Sequence, residues 1–91
     1  MSRIHIVRPH NGDKERAREA IEEAALHISE SYGVHYEWEG DHIHFSRPGV
    51  DGVMRVGEVD IEIDATLGMF LAMLKAPIER EIGKELDKRF A

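Results

Sequence analysis

The feature that most constrains the fold is a strict alternation of apolar and polar residues between Val59 and Leu67. The apolar positions are Val59, Ile61, Ile63, Ala65 and Leu67, and the positions between them are Asp60, Glu62, Asp64 and Thr66. Successive side chains of a strand point to opposite faces, so the pattern indicates a strand with one buried face and one wet face. It therefore predicts an antiparallel sheet that is covered on one side only.

Two further alternating stretches flank the dipeptide Gly40-Asp41 and predict a β-hairpin. The apolar positions are Val34, Tyr36 and Trp38 before the dipeptide, and Ile43 and Phe45 after it. A two-residue link that contains glycine fits a type I′ or II′ turn, and such a tight turn fixes the register of the two strands. The predicted cross-strand pairs are Trp38 with Ile43 and Tyr36 with Phe45 inside, and Glu39 with His42 and Glu37 with His44 outside.

A second hairpin is predicted from residues 53–56 and 59–67, which flank Gly57-Glu58. If the turn has two residues, the predicted pairs are Met54 with Ile61, Val56 with Val59, and Arg55 with Asp60. The preceding stretch, residues 46–52, is predicted to be a loop because of its proline and glycine content, and its glycines are interpreted as turn residues.

The region between Asp13 and Gly33 has the signature of an amphipathic helix. Asp13 is a suitable N-cap, and Gly33 is suited to the left-handed conformation that often ends a helix. The apolar residues recur at helical spacing, and they are Ala17, Ala20, Ile21, Ala24, Ala25, Ile28 and Tyr32. This stripe predicts a helix that lies close to the sheet.

The whole pattern predicts a two-layer α+β fold with the element order β-α-β-β-β-β-α. The first strand is short, with Ile4 and Ile6 at alternate positions, and Pro9 ends it because proline cannot donate a hydrogen bond to a ladder. We expect an antiparallel sheet of about five strands packed on two helices, both on the same side. A chain of this length builds one core, so residues 1–91 are predicted to form a single domain.

The closing segment, residues 67–90, is predicted to be helical. At 100° per residue its larger apolar side chains form a slanting ridge, and they are Phe70, Leu74, Ile78, Ile82, Leu86 and Phe90. Pro77 disturbs an α-helix, so either the helix kinks there, or a short helix ends near Lys75 and a second begins with Pro77 at its first position, N1.

Before Pro77 this segment is apolar on nearly all sides. Met69, Phe70, Met73 and Ala76 carry more apolar surface than one sheet can bury. One interpretation is that loops or the other helix cover them. The other is that they form a contact surface for a second subunit, a lipid-like surface or an apolar ligand, for which adaptable methionine side chains are suited.

The composition argues against several kinds of partner and site. A formal charge of −6 disfavours nucleic acid, because phosphate contacts need a clustered basic surface. The absence of cysteine removes disulfides and thiolate metal sites. No apolar run approaches the roughly 18 to 20 residues of a membrane-spanning helix, and the first residues lack the apolar core of a signal peptide. We therefore expect a cytoplasmic protein with no transmembrane segment.

Histidines on the outer face of the sheet raise the question of a metal site. His35, His42 and His44 share that face with Glu37 and Glu39, and imidazole and carboxylate groups are both zinc ligands. Strand alternation alone also places them there, and Glu beside His is a favourable cross-strand pair without a metal. We expect solvated pairs and no bound metal or cofactor.

Asp60, Glu62 and Asp64 present a row of carboxylates on the same face. Catalytic carboxylates flank a cleft and occupy different environments, whereas a row on an open sheet face is typical of a solvated surface. The serines lie in no nucleophile motif, and no glycine-rich phosphate loop is present in the sequence. We therefore expect no catalytic residues and no enzyme activity.

Several stretches together resemble a known family of small bacterial proteins. They are residues 36–41 (YEWEGD), Phe45, residues 47–52 (RPGVDG), residues 67–68 (LG) and residues 74–82 (LKAPIEREI). These motifs resemble the polyhydroxyalkanoic acid system family, also described as granule-region proteins. The resemblance spans essentially the whole chain, and it implies association with storage-polyester granules, through the polyester surface or granule-coat proteins, or with their regulation. It carries no catalytic residues.

The element order also resembles a shortened helix-grip (START-like) domain, which is an analogy about fold. Helix-grip domains can enclose a ligand between sheet and helix. The alternative function is therefore binding of a small apolar, acyl-like ligand between the sheet and the C-terminal helix. A third use of the apolar residues at 69–76 is a homodimer interface.

Overall fold

The computed structural model describes residues 2–10 and 12–90, without the side chains of residues 89 and 90, and contains five strands, two α-helices and one 3-10 helix. In chain order these are β1 (Ser2–Pro9), α1 (Lys14–Tyr32), β2 (His35–Glu39), β3 (His42–Arg47), β4 (Val50–Val56), β5 (Asp60–Leu67), the 3-10 helix (Met69–Leu74) and α2 (Lys75–Phe90). The predicted α+β class and element order are confirmed.

The five strands form one antiparallel sheet in the order β1-β5-β4-β3-β2. Strands β2 to β5 are a meander, and β1 joins the free side of β5, where Ile4 lies opposite Ala65. The buried residues of the sheet and of both helices form one continuous cluster, so the molecule has two layers. The order of the elements fits the resemblance to a helix-grip domain.

Both predicted ends of α1 are present. The side chain of Asp13 accepts a hydrogen bond from the backbone N–H of Arg16 at 3.1 Å, as an N-cap does. Gly33 adopts φ 68° and donates its N–H to the carbonyl of Ser29 at 2.9 Å. The apolar stripe is buried from Ala17 to Ile28, which confirms the predicted packing face.

The first hairpin has the predicted register, and the second does not. Tyr36 pairs with Phe45 and Trp38 with Ile43, as the tight Gly40-Asp41 turn requires. In the second hairpin Met54 pairs with Ile63 instead of Ile61. The whole predicted register is therefore wrong by two residues, and the observed pairs are Met54 with Ile63, Arg55 with Glu62 and Val56 with Ile61.

The turn of the second hairpin lies one residue further along the chain than predicted. The N–H of Gly57 donates to the carbonyl of Asp60 at 2.8 Å, so Gly57 lies opposite Asp60 and the two turn residues are Glu58 and Val59. The Val59 side chain is 68% exposed instead of inward. A shift of two residues keeps every later side chain on its predicted face, because the side-chain period of a strand is two. The buried face of β5 is therefore as predicted from Ile61 onward.

The predicted loop at residues 46–52 is also too long. β3 continues to Arg47 and β4 begins at Val50, so the turn consists of Pro48 and Gly49, with Gly49 at φ 88°. Gly52 lies inside β4 rather than in a turn. A Cβ atom there would lie 2.5 Å from Cζ of Phe45, so the absence of a side chain leaves room for that ring.

The closing segment divides before Pro77, close to the second of the two predicted ways. The 3-10 helix ends at Leu74 and α2 begins at Lys75, so Pro77 is the third residue of α2 instead of the first. It still lies in the first turn, where its missing N–H removes no intrahelical bond. Ile78 and Ile82 are buried, as is Leu86, which confirms that part of the ridge. Phe70 is 88% exposed and departs from the ridge, and the side chain of Phe90 lies outside the described residues.

Candidate functional site

Three large apolar side chains project into solvent from the 3-10 helix. Met69 is 77% exposed, Phe70 88% and Met73 79%. Ala76, in the first turn of α2, is exposed as well. These four residues, called here the apolar surface, are the ones that the sequence singles out. Among the residues that the structure describes, neither the loops nor the other helix covers them.

The helical period explains which residues are exposed. A 3-10 helix has three residues per turn, so residues three apart lie in one row along its axis. Leu71 and Leu74 form the row that packs against the core, whereas Phe70 and Met73 form an outward row. At the 100° per residue of an α-helix, Phe70 would lie on nearly the same side of the helix axis as Leu74. At the 120° per residue of a 3-10 helix, it lies a third of a turn away from Leu74 around the axis. The change of period therefore moves Phe70 from the core to the surface.

Backbone contacts at the end of the sheet hold the 3-10 helix in place. The N–H of Gly68 donates to the carbonyl of Gly49 at 2.8 Å, and the N–H of Leu71 donates to the carbonyl of Gly68 at 3.0 Å. Leu71 also lies over Gly49, where an added Cβ would be 2.7 Å from Leu71 Cδ1. The apolar surface is thus carried by a fixed support instead of a free loop.

Side chains fill the space between the sheet and α2. Ile78, Ile82 and Leu86 of α2 are at most 1% exposed, and Ile4 and Ile63 of the sheet are fully buried in the same cluster. A depression lined by Arg80, Gly83, Lys84, Asp87 and Lys88 lies along α2 itself. The core described here therefore offers no support for an acyl-like ligand held between sheet and helix.

The outer-face histidines are paired with carboxylates in the structure. His44 Nε2 lies 2.9 Å from Asp51 Oδ1, and His42 Nε2 lies 3.9 Å from Glu39 Oε2. His35 is exposed at the start of the edge strand β2. Within residues 2–10 and 12–90, these histidines do not converge with carboxylates into a group of three that could hold a metal ion.

Glu62 and Asp64 of the acidic row are paired with basic side chains of neighbouring strands. Glu62 lies between His5 and Arg55, at 3.1 and 2.9 Å, and the hydrogen bond to His5 is the main cause that lowers the pKa of Glu62. Asp64 accepts a hydrogen bond from Arg3 Nε at 2.9 Å, and this contact is the main cause that lowers the pKa of Asp64. A lowered pKa keeps both groups ionised at neutral pH, whereas a general acid needs a raised pKa.

One polar cluster was not predicted from the sequence. Glu23 and His27 of α1 approach Glu85 of α2, and Glu81 lies beside them. The available signal was a pair of i, i+4 spacings, Glu23 with His27 and Glu81 with Glu85, on two predicted helices. Which helix faces meet is not encoded in either spacing, so the cluster could be recognised only after α1 and α2 were placed against each other.

The fold and the exposed residues define a small two-layer α+β protein whose most exposed apolar side chains lie on a short helix at one end of its sheet. None of the described helices is long and apolar enough to cross a membrane. The chain belongs to the polyhydroxyalkanoic acid system protein family (PHA_gran_rgn), whose model matches residues 4–90. Comparison with curated proteins and with solved structures gives no significant match.

Proposed function

We propose that this protein is a non-catalytic, cytoplasmic accessory protein of polyhydroxyalkanoate granules, which attaches to the granule surface through Met69, Phe70, Met73 and Ala76. The observation that carries the proposal is the exposure of three large apolar side chains on a fixed support. Membership of the polyhydroxyalkanoic acid system family supports the granule as the proposed partner.

The chemistry of the apolar surface suits a water–polyester boundary. Methionine side chains are flexible and polarisable, so they adapt to a surface that has no fixed shape. A patch of exposed apolar side chains on a small protein commonly marks a contact site. The formal charge of −6 on the rest of the chain keeps the protein dispersed in water and leaves this patch as the face for apolar contact.

The size of the patch predicts weak and reversible attachment. Burial of Met69, Phe70 and Met73 contributes roughly 1.5 to 3 kcal/mol for each side chain. The loss of translational and rotational freedom on association costs about 4 to 15 kcal/mol, which offsets most or all of that gain. A single copy is therefore expected to exchange on and off the granule, and an assay has to supply a large granule area.

The outer sheet face supports a non-catalytic role. Glu62 and Asp64 are held ionised by His5, Arg55 and Arg3, as cross-strand pairs that stabilise a sheet. Neither carboxylate lies in a cleft opposite a second carboxylate with a different environment, which is the arrangement that acid–base catalysis uses.

Cosedimentation with purified granules tests the proposal. We expect wild-type protein to pellet with granules and Met73→Asp to remain in the supernatant, because a carboxylate at the centre of the patch must be desolvated on attachment. Val59→Asp is the matched control: Val59 is also an exposed apolar residue, it receives the same charge change, and it lies in the β4–β5 turn. We expect Val59→Asp to pellet like the wild type.

Wild-type protein that stays in the supernatant, or a Met73→Asp variant that pellets equally well, contradicts the proposal. Protein-free polyester particles, used in parallel, distinguish contact with the polymer from contact with coat proteins. Size-exclusion chromatography with light scattering covers the homodimer alternative. If the wild type is a dimer and Met73→Asp a monomer, the surface serves a second copy of the chain instead.

A further inference from the structure

A group of charged side chains occupies the seam between α1 and α2. His27 Nδ1 lies 2.9 Å from Glu81 Oε1 and 3.2 Å from Glu85 Oε1, and His27 Nε2 lies 3.7 Å from Glu23 Oε2. One ligand atom from each of Glu23, His27 and Glu85 lies within 4.8 Å of the others. Two helices thus bring three carboxylates to a single imidazole ring.

Glu85 shows that these contacts leave a strong acceptor without a partner. The residue is only 1% exposed, and its Oε2 is buried with no hydrogen-bond partner among the described residues. Lys88 Nζ approaches the other oxygen, Oε1, at 3.6 Å. A buried carboxylate is costly unless its oxygens are paired or coordinate a metal.

A protonated His27 does not meet this demand. An imidazolium ring has two N–H donors, one at Nδ1 and one at Nε2. Glu81 and Glu85 both lie on the Nδ1 side, and Glu23 lies on the Nε2 side, so at least one carboxylate has no full hydrogen bond from the ring. A divalent cation accepts several oxygen ligands at once and carries twice the charge.

We propose that Glu23, His27 and Glu85 bind a divalent first-row transition-metal ion, with Glu81 as an additional oxygen ligand. One imidazole nitrogen with carboxylate oxygens is a ligand set that suits Zn²⁺, Fe²⁺ and Mn²⁺. Metal–ligand bonds of about 2.0 to 2.2 Å require ligand atoms closer together than 4.8 Å, the limit within which these ligand atoms lie. Rotation of the partly exposed Glu23 side chain provides that adjustment.

The site is accessible and is separate from the apolar surface. Glu23, His27 and Glu81 are partly exposed, which gives an ion a route from solvent to the buried Glu85. The ligands belong to the middle of α1 and the second half of α2. The apolar surface belongs to the 3-10 helix and the first turn of α2. A bound ion therefore cross-links the two helices. Metal binding at this site does not depend on attachment to the granule.

Calorimetric titration with Zn²⁺ tests the inference on the full chain. We expect one ion per chain, a Tm raised by several degrees at saturating Zn²⁺ because the ion binds the folded state, and loss of both effects in His27→Gln and Glu85→Gln. His44→Gln is the matched control, since His44 is also a partly exposed histidine beside a carboxylate, here Asp51. It should bind like the wild type.

Histidine NMR resonances provide a second readout that does not depend on stability. Zn²⁺ should move the ring resonances of His27 and leave those of His44 in place. Circular dichroism shows whether each variant is folded. If Glu85→Gln does not fold, Zn²⁺ binding by His27→Gln alone decides the outcome. Unchanged resonances and Tm in the wild type, or equal binding by His27→Gln, overturn the inference.

Discussion

The 3-10 helix and α2 are adjacent in the chain and both are rich in apolar residues, yet they have opposite environments. In α2, Ile78, Ile82 and Leu86 are at most 1% exposed. In the 3-10 helix, Phe70 and Met73 are 79% exposed or more. The segment before Pro77 is the more apolar of the two, so hydrophobicity alone does not decide burial here. The difference lies in the helical period and in the area of sheet that each segment can reach.

This comparison shows how a chain can display apolar residues without losing its core. α2 places residues four apart along the core, whereas the 3-10 helix has a narrow inward row, Leu71 and Leu74, and directs the remaining side chains outward. The two regions should therefore respond differently to mutation: α2 should report on stability, and the 3-10 helix should report on binding.

The largest expected effect compares Ile82→Ala with Met73→Ala. Truncation of a fully buried isoleucine costs about 2 to 5 kcal/mol, because it removes apolar contacts and leaves a cavity. Truncation of an exposed side chain away from such features changes stability by about 0.5 kcal/mol or less. Urea unfolding curves of the two variants measure the difference. Equal losses of stability would mean that Met73 is buried in solution, for instance by a second copy.

The attachment of the 3-10 helix is tested by Gly49→Ala against Gly12→Ala. Both glycines have positive φ, 88° and 80°, where a Cβ costs on the order of 1 to 3 kcal/mol. Only at Gly49 does the new Cβ also meet a neighbour, Leu71 Cδ1 at 2.7 Å, whereas nothing lies within 4 Å at Gly12. We expect Gly49→Ala to destabilise the protein more.

Hydrogen exchange separates the two causes at Gly49. The amide of Leu71 should lose protection in Gly49→Ala and keep it in Gly12→Ala, because displacement of Leu71 loosens the 3-10 helix. If the two variants exchange alike at Leu71, the contact between Leu71 and Gly49 does not support the apolar surface.

The smallest expected effect concerns the outer sheet face, which belongs to neither region. Hydrogen bonding to Arg3 lowers the pKa of Asp64 below its usual value of 3.8. This pair therefore stabilises the fold above that pH and loses its effect as the pH falls through the lower, folded-state pKa. Asp64→Asn should therefore make the urea midpoint fall less steeply between about pH 5 and pH 2. The difference between Ile82→Ala and Met73→Ala at neutral pH should stay unchanged in that background.

Arg3→Gln provides the companion measurement, since it removes the other member of the same pair. Arg3→Gln should also make the urea midpoint fall less steeply between about pH 5 and pH 2. A profile that stays as steep as that of the wild type in both variants contradicts the assignment of Arg3 as the cause of the lowered pKa of Asp64.

Much of the fold could be predicted from the sequence because its signals are local. Alternation specified the strands, and Gly40-Asp41 fixed one register through a tight turn. The second register was missed because the two turn residues are Glu58 and Val59, whereas the glycine favoured a turn at Gly57 and Glu58. The position of β1 was left open, since alternation indicates a strand but not its neighbour.

The candidate sites illustrate the same limit. Met69 and Met73 could be singled out because an apolar excess is visible in the sequence itself. Phe70 was assigned both to the slanting ridge and to the apolar surface, and the sequence could not decide between them, because the outcome depends on a change of helical period that has no signature in the residues. The approach of His27 to Glu85 between α1 and α2 depends on how the two helices are rotated against each other. That rotation is a property of the packed core.

The placement of β1 beside β5 also has a consequence for the order in which the protein folds. Strands β2 to β5 can pair through short turns, whereas β1 finds its partner about 60 residues later, with His5 opposite Asp64. Closing so long a loop carries an entropic cost before any contact offsets it, so distant pairings tend to form late. During synthesis Ile4 and Ile6 remain without a ladder until β5 has been made, and this first strand is then the segment most exposed to mispairing.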